Sequence, residues 1–399
     1  MLKRNLLYLL ILSIFWISAL YSGEKILYFI SYILLFLPVI SLAFLVIIVL
    51  RYKYVENIDK RQAIRGQTVK YALNVYNEDV FFYPYIKAIF YSDHFITKAI
   101  FNDETFYLVP KKNYYTEREV YCKHIGQYRI GVKAFEFKDF FGFFRYRSKF
   151  YSENKEVRVS PRVIPLETFK VLATDYADSF KTGSRSGMED YSEITEINRY
   201  VPGQPLKNIH WKLSAKRSEL MTKKFNNPQN RCVTIYADVS NHGINDEDLF
   251  LVKDIVIEST LAILKFCIRQ SIPVAVCLND DRLTRFSVTN QYDFDAIYNK
   301  LFYIDFKSDL AFDSILQLDH EQYADSKDVM VITANLHNGL YDELVNLKLA
   351  GKNITLIYPV KDKGLRAGYA EKFIQGLKEN GVHIYNIRHA DEIKKVLEC

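Results

Sequence analysis

The chain opens on two long apolar stretches and then changes rhythm twice. Leu6 to Tyr21 is almost unbroken hydrophobic sequence with Lys3 and Arg4 ahead of it, and Ile26 to Leu50 runs 25 residues without a charge. At about 1.5 Å per residue the second is long enough to cross a bilayer with some tilt, and the first sits near the lower limit. Only Ser22-Gly23-Glu24-Lys25 separates them, so the pattern predicts a tight helical hairpin over residues 1–54. Pro38 falls inside the second run, and a membrane helix tolerates proline where neighbouring groups take up the freed carbonyl. Two alternatives stand beside the two-helix anchor. A buried soluble hairpin would need a large protein shell around helices that are apolar on every side. A cleaved signal peptide followed by one spanning helix also suits Lys3, Arg4 and the short first stretch.

The period then drops to two. Val69, Tyr71, Leu73 and Val75 alternate with Lys70, Ala72, Asn74 and Tyr76, as a half-buried strand requires. Tyr85 to Tyr91, Tyr114 to Tyr121 and Tyr128 to Phe137 are rich in β-branched and aromatic residues, with turn signals at Asn77-Glu78-Asp79, Pro110 to Asn113 and Gly126. Several short strands with few helical stretches predict an antiparallel β-sandwich over residues 55–165. The Phe140-Phe141-Gly142-Phe143-Phe144 cluster is read as packing a sandwich edge or facing the membrane or the next domain.

Beyond a connecting segment, 166–230, strands and helices alternate over residues 231–399. Cys232 to Ala237 is a short apolar run ending at Asp238, and Leu249, Val252, Ile255, Val256, Ile263 and Phe266 then recur at threes and fours. Strands are predicted at Ile272 to Leu278, near Phe286, and at Asp328 to Thr333, Asn353 to Tyr358 and His383 to Ile387. Helices fall at Phe294 to Leu301, Gly339 to Leu349, Gly364 to Glu379 and Asp391 to Leu397. Parallel strands need crossover connections, so this order predicts a mainly parallel sheet with helices on both faces. Ligands of such sheets bind beyond the carboxyl ends of the strands, where Asp238, Ser240, Thr333, Ala334 and Asn335 stand.

Charge adds an orientation. Lys3 and Arg4 precede the hairpin, Arg51, Lys53, Lys60, Arg61 and Arg65 follow it, and the turn holds one Lys and one Glu. The positive-inside rule puts both flanks, and hence the body, in the cytoplasm, whether one helix or two remain. With 399 residues, 49% of them apolar, the chain has room for two or three domains. The net charge of +6 is spread among interleaved acids and bases rather than clustered, which argues against nucleic-acid binding. Cys122, Cys232, Cys267, Cys277 and Cys399 are odd in number and lack CxxC spacing, so neither a disulfide framework nor a zinc site is expected.

One constellation invites a catalytic reading. Arg199-Tyr200-Val201-Pro202-Gly203 leads to Ile209-His210-Trp211-Lys212-Leu213-Ser214-Ala215-Lys216, with Glu193 and Glu196 upstream. No nucleophile, metal-ligand pair or phosphate loop accompanies His210. The expectation is structural, with Trp211 packed and His210 hydrogen-bonded.

This stretch resembles the signature of the bacterial "domain of unknown function 58" family. The matching residues are Arg199, Tyr200, Gly203, Ile209, His210, Trp211, Ser214 and Ala215, then Asp238-Val239-Ser240. Upstream, His124 to Gly131, Asp139 to Phe144 and Val157 to Arg162 resemble further elements of that family. Gln204 stands where the family has Asp, Lys207 and Lys216 where it has Arg, and Ile125 where it has the Arg of an Arg-Gly pair; lysine keeps the charge but loses the bidentate fork.

The resemblance implies a von Willebrand factor A-like (Rossmann-like) α/β domain whose metal site uses Asp-x-Ser-x-Ser with a Thr and an Asp from other loops. Here Asp238 and Ser240 are present, His242 takes the third position, and Thr333-Ala334-Asn335 lacks the carboxylate. A hard divalent cation wants several oxygen ligands, so any Mg²⁺ or Mn²⁺ site is degenerate and no cofactor is expected. The resemblance further implies a membrane protein that partners a MoxR-type AAA+ ATPase in a chaperone-like or envelope-related role. The expectation is therefore a multi-pass membrane adaptor without enzymatic activity, the alternative being a metal-dependent binder or hydrolase using Asp238 and Ser240.

Overall fold

The structure is a computed structural model that describes residues 2–91, 102–149, 156–172, 194–200, 209–225, 232–241, 244–280, 283–308, 311–322, 326–360 and 367–399. It divides into two compact units, Met1–Ser160 and Pro161–Cys399.

The first unit begins with helix α1 (Leu2–Ser22) and helix α2 (Lys25–Arg51). The chain reverses at Gly23, whose φ of +66° is left-handed and suits a residue without Cβ. Trp16 meets Tyr32 edge-on at 5.8 Å, the Tyr8 hydroxyl donates to the Leu34 carbonyl, and Ala19 and Ser31 are buried between the helices. The outward side chains, among them Leu6, Leu9, Ile17, Phe29 and Val39, are left bare by the protein. Both helices are long and apolar enough to cross a membrane, with mean hydropathies of 1.8 and 3.2.

Three small sheets follow. The first joins β1 (Lys53–Ile58), β3 (Thr68–Tyr76) and β6 (Asn113–Tyr121), and the second joins β5 (Glu104–Leu108), β4 (Tyr83–Phe90), β8 (Val132–Lys138) and β9 (Arg145–Lys149). Both are antiparallel. Val69, Tyr71, Leu73 and Val75 of β3 are all fully buried, so the period-two pattern marks the inward face. The third sheet, β2 (Gln62–Ile64), β10 (Glu156–Ser160) and β7 (Gly126–Arg129), departs from the antiparallel expectation because β10 runs parallel to β2. Only a short hairpin forces antiparallel pairing, and β10 reaches β2 from far along the chain. One core serves all three sheets, and Leu45 and Ile48 of α2 are part of it.

In the second unit, β11 (Ile194–Arg199) and β12 (Met221–Phe225) form an antiparallel pair, with a short helix, Trp211–Arg217, leading into β12. A six-stranded sheet follows in the order β15 (Leu283–Val288), β14 (Val274–Asn279), β13 (Val233–Ala237), β16 (Asp328–Ile332), β17 (Asn353–Pro359), β18 (His383–Ile387). All neighbours are parallel except β14 and β15. Counted from β13, that is the order 3-2-1-4-5-6 of a doubly wound sheet, and its direction of winding reverses beside β13. Helices at Asp246–Arg269, Gln291–Tyr303, Phe312–Gln322, Asn338–Leu349 and Ala367–Glu379 connect the strands. β13, β14 and β16 are buried along their whole length, as strands covered on both faces must be.

The start of this unit is strapped down. Arg162, 28% exposed at its side chain, reaches the fully buried Glu258 on the Asp246–Arg269 helix through Nη2 at 2.9 Å and Nε at 3.2 Å. Its backbone N–H donates to the same carboxylate at 3.0 Å, and Nη2 also meets Asp391 at 2.7 Å. Leu166, Phe169 and Leu172 are buried just beyond.

Candidate functional site

Where the winding reverses, four polar side chains converge at the carboxyl ends of three adjacent strands. Asp238 follows β13, Asn279 ends β14, Thr333 follows β16, and Ser240 lies two residues beyond Asp238. Their burial is near complete: Asn279 and Thr333 are 0% exposed, Ser240 3% and Asp238 4%. Asp238 Oδ1 accepts from the Ser240 hydroxyl at 2.6 Å, the Ser240 N–H at 3.0 Å and Asn279 Nδ2 at 2.9 Å. Its Oδ2 accepts from the Thr333 hydroxyl at 2.6 Å. Asn279 Oδ1 in turn accepts from the Val239 N–H at 2.6 Å, and the Thr333 oxygen from the Asn335 N–H at 2.9 Å.

A carboxylate offers about four lone-pair sites, two on each oxygen; here three donors crowd Oδ1 and one reaches Oδ2. A hard divalent cation needs those lone pairs and several more oxygens. Among the described residues, no three His, Cys, Asp or Glu side chains group together as a metal site. One carboxylate with two hydroxyls is a sparse oxygen set for the implied Mg²⁺ or Mn²⁺, and its hydrogen bonds tie three strand ends and the following loop together. His242 lies outside the described residues, as do Gly203, Gln204, Lys207 and Glu193.

Sequence reasoning placed Asp238 and Ser240 here but missed Asn279 as their partner. The signal was its position at the end of a fully apolar strand, where a buried amide needs a partner.

The His210 stretch is engaged locally. His210 caps the Trp211–Arg217 helix: its Nδ1 accepts from the Leu213 N–H at 3.2 Å, and its own N–H donates to the Met221 carbonyl at 2.8 Å. Ser214, buried, accepts from the Met221 N–H at 2.8 Å, and Ile209 is buried beside Thr222. Arg199 pairs with Glu219 at 2.7 Å, and the Tyr200 N–H donates to the Leu220 carbonyl at 2.8 Å. These contacts make a hairpin-and-helix module rather than an acid–base pair. Trp211 corrects the expectation of a packed indole, being 65% exposed: a helical side chain leans over the turn before it, and the first helical residue has no such turn to lie against. Ala215 is exposed as well.

A second buried polar group lies beneath the sheet. Asp319 is fully buried and accepts from the Tyr236 hydroxyl at 2.6 Å and from Arg285. Burial, then the bond to Asp319, pushes the Tyr236 hydroxyl far above its ordinary range. Burial likewise raises the Cys277 thiol, with the Asp319 charge adding to the shift. Both stay protonated, so neither is poised as a nucleophile.

No family model matches the chain, and no curated protein matches it. Among solved structures, it is similar to proximal thread matrix protein 1 of the mussel byssus at 13% identity and a TM-score of 0.30, covering 42% of this chain. The chain spans less than half of that protein, 46%. A GH20 exo-β-N-acetylglucosaminidase of Vibrio harveyi is similar at 8% identity and a TM-score of 0.19, over 84% of this chain and 81% of its own. At such scores neither likeness carries a fold or an activity.

Proposed function

We propose that this protein is a membrane-anchored adaptor that presents a von Willebrand factor A-like α/β domain to a protein partner on the cytoplasmic side. The observation that carries this reading is the closed polar knot at Asp238. At the strand ends where such a sheet would bind or react with a ligand, both oxygens of the one carboxylate are engaged by protein donors. His210 is spent on a helix cap, which weighs against the hydrolase alternative.

The positive flanks of the hairpin favour a cytoplasmic body, and the family resemblance suggests a MoxR-type AAA+ ATPase as the partner in a chaperone-like or envelope-related role. Cross-linking in native membranes followed by affinity capture of the full chain is expected to recover an AAA+ ATPase. Repeated recovery of none would overturn that partner. Titration of the detergent-solubilised chain with Mg²⁺ and Mn²⁺ is expected to show no saturable binding. Binding that disappears in Asp238→Ala would contradict the knot and restore the metal-dependent alternative.

A further inference from the structure

We infer that the groove between α2 and the phenylalanine loops of the first unit is a lipid-facing surface, filled by phospholipid acyl chains of the leaflet on the side of the β-sheets. The inference rests on the reading that the hairpin spans a membrane. The groove encloses about 320 Å³ and is lined chiefly by Ile40, Phe44, Ile48, Phe82, Pro84 and Phe141. Its polar groups, Ser41 and Asp139, are spent on each other, the Ser41 hydroxyl donating to Asp139 Oδ2.

Position along α2 identifies the occupant. Ser41 lies sixteen residues past Lys25, about 24 Å along a helix, and Ile48 lies about 35 Å along it. A hydrocarbon core is about 30 Å thick, so the groove runs from inside the acyl region out through its boundary. The start of α1 gives the same depth independently. Asn5 Nδ2 donates to the Phe143 carbonyl at 3.2 Å, and Tyr8 meets the Phe143 ring at 4.6 Å. The Arg4 guanidinium lies 2.6 Å from where a Cβ on Gly142 would stand. Arg4 is the charge just ahead of the first apolar stretch, where a cation meets headgroup phosphates.

The loop is held for this placement. Asp139 Oδ1 accepts from the Phe144 N–H at 2.8 Å, and the Asp139 carbonyl from the Gly142 N–H at 3.1 Å. Gly142 has a φ of +70°, a backbone conformation in which any L side chain is strained. This turn leaves Phe140 68% and Phe141 49% exposed, with Phe82 beside Phe140. Three neighbouring phenylalanines bare to water are unfavourable, and the same rings at an acyl boundary are not.

The test uses the full chain in phosphatidylcholine–phosphatidylglycerol vesicles whose acyl chains are brominated near the headgroup or near the chain end. The chain has only two tryptophans, Trp16 and Trp211. Phe141→Trp and, separately, Phe140→Trp are placed in a Trp16→Phe, Trp211→Phe background, and Trp211→Phe alone keeps Trp16 as a bilayer reference. Both loop probes are expected to lose more fluorescence to the shallow label than to the deep one and to resist aqueous iodide. Strong quenching of Trp16 with unquenched or iodide-accessible loop probes would overturn the lipid surface while leaving the anchor intact. An unquenched Trp16 would instead sink the anchor, and the inference with it.

Discussion

At the residue scale, the account turns on buried polar groups held by protein partners. Asp238 accepts from Ser240, Asn279 and Thr333, so Asp238→Ala strands four donors on three residues away from water. Each unsatisfied buried group costs about 1–3 kcal/mol. Hydrogen exchange in β13 and β16 should therefore accelerate strongly in this variant, with Asp238→Asn intermediate; unchanged protection would mean that the knot holds nothing. Cys122 gives a pH dependence. Burial, and secondarily the Asp59 charge, pushes its thiol up from the ordinary value to about 11. The folded-state pKa is raised, so the contribution of the buried thiol is fully present below the unfolded pKa, about 8.5. It is lost as pH rises from there through about 11. Thermal melts of the first unit within the full chain should fall over that window, and Cys122→Ala should flatten the fall below pH 10, where tyrosines begin to ionise.

At the element scale, the Arg162–Glu258 strap and the His210 cap make separable predictions. Removing Arg162 leaves Glu258 charged and buried without its partner, which typically costs about 3–5 kcal/mol. Arg162→Met should expose the Asp246–Arg269 helix to hydrogen exchange, and Arg162→Met with Glu258→Leu should recover much of the loss; additive losses would show that the pair is not coupled. His210→Ala should cost about 1 kcal/mol of local helix stability, a roughly fivefold faster exchange at Leu213 and Ser214. Much of this architecture was legible in the pattern. The buried stripe of β3 and the apolar run ending at Asp238 followed from side-chain periodicity alone. The Phe312–Gln322 helix was not, because fully buried Asp319 lies in line with Phe312, Ile315 and Leu316 and breaks the apolar stripe. Its ion pair with Arg285 comes from a strand distant in sequence, which no local pattern carries. The β11–β12 hairpin was equally hidden, since its strands are separated by a helix that the turn signals did not announce.

At the scale of the whole molecule, two apolar helices lead a body with two cores, one shared by three small sheets and one built on a doubly wound sheet. The hairpin is the feature on which the functional reading depends, because an adaptor without an anchor would have no fixed place to act. The C-terminal residue offers a direct probe of sidedness. Cys399 is exposed, whereas Cys122, Cys267 and Cys277 are buried and Cys232 is half-buried. Labelling of the full chain with a membrane-impermeant maleimide, in intact bacterial cells and in inverted membrane vesicles, tests the central claim most directly. The account predicts that Cys399 is labelled in inverted vesicles and protected in intact cells, with Cys399→Ser abolishing the signal; labelling in intact cells would contradict it.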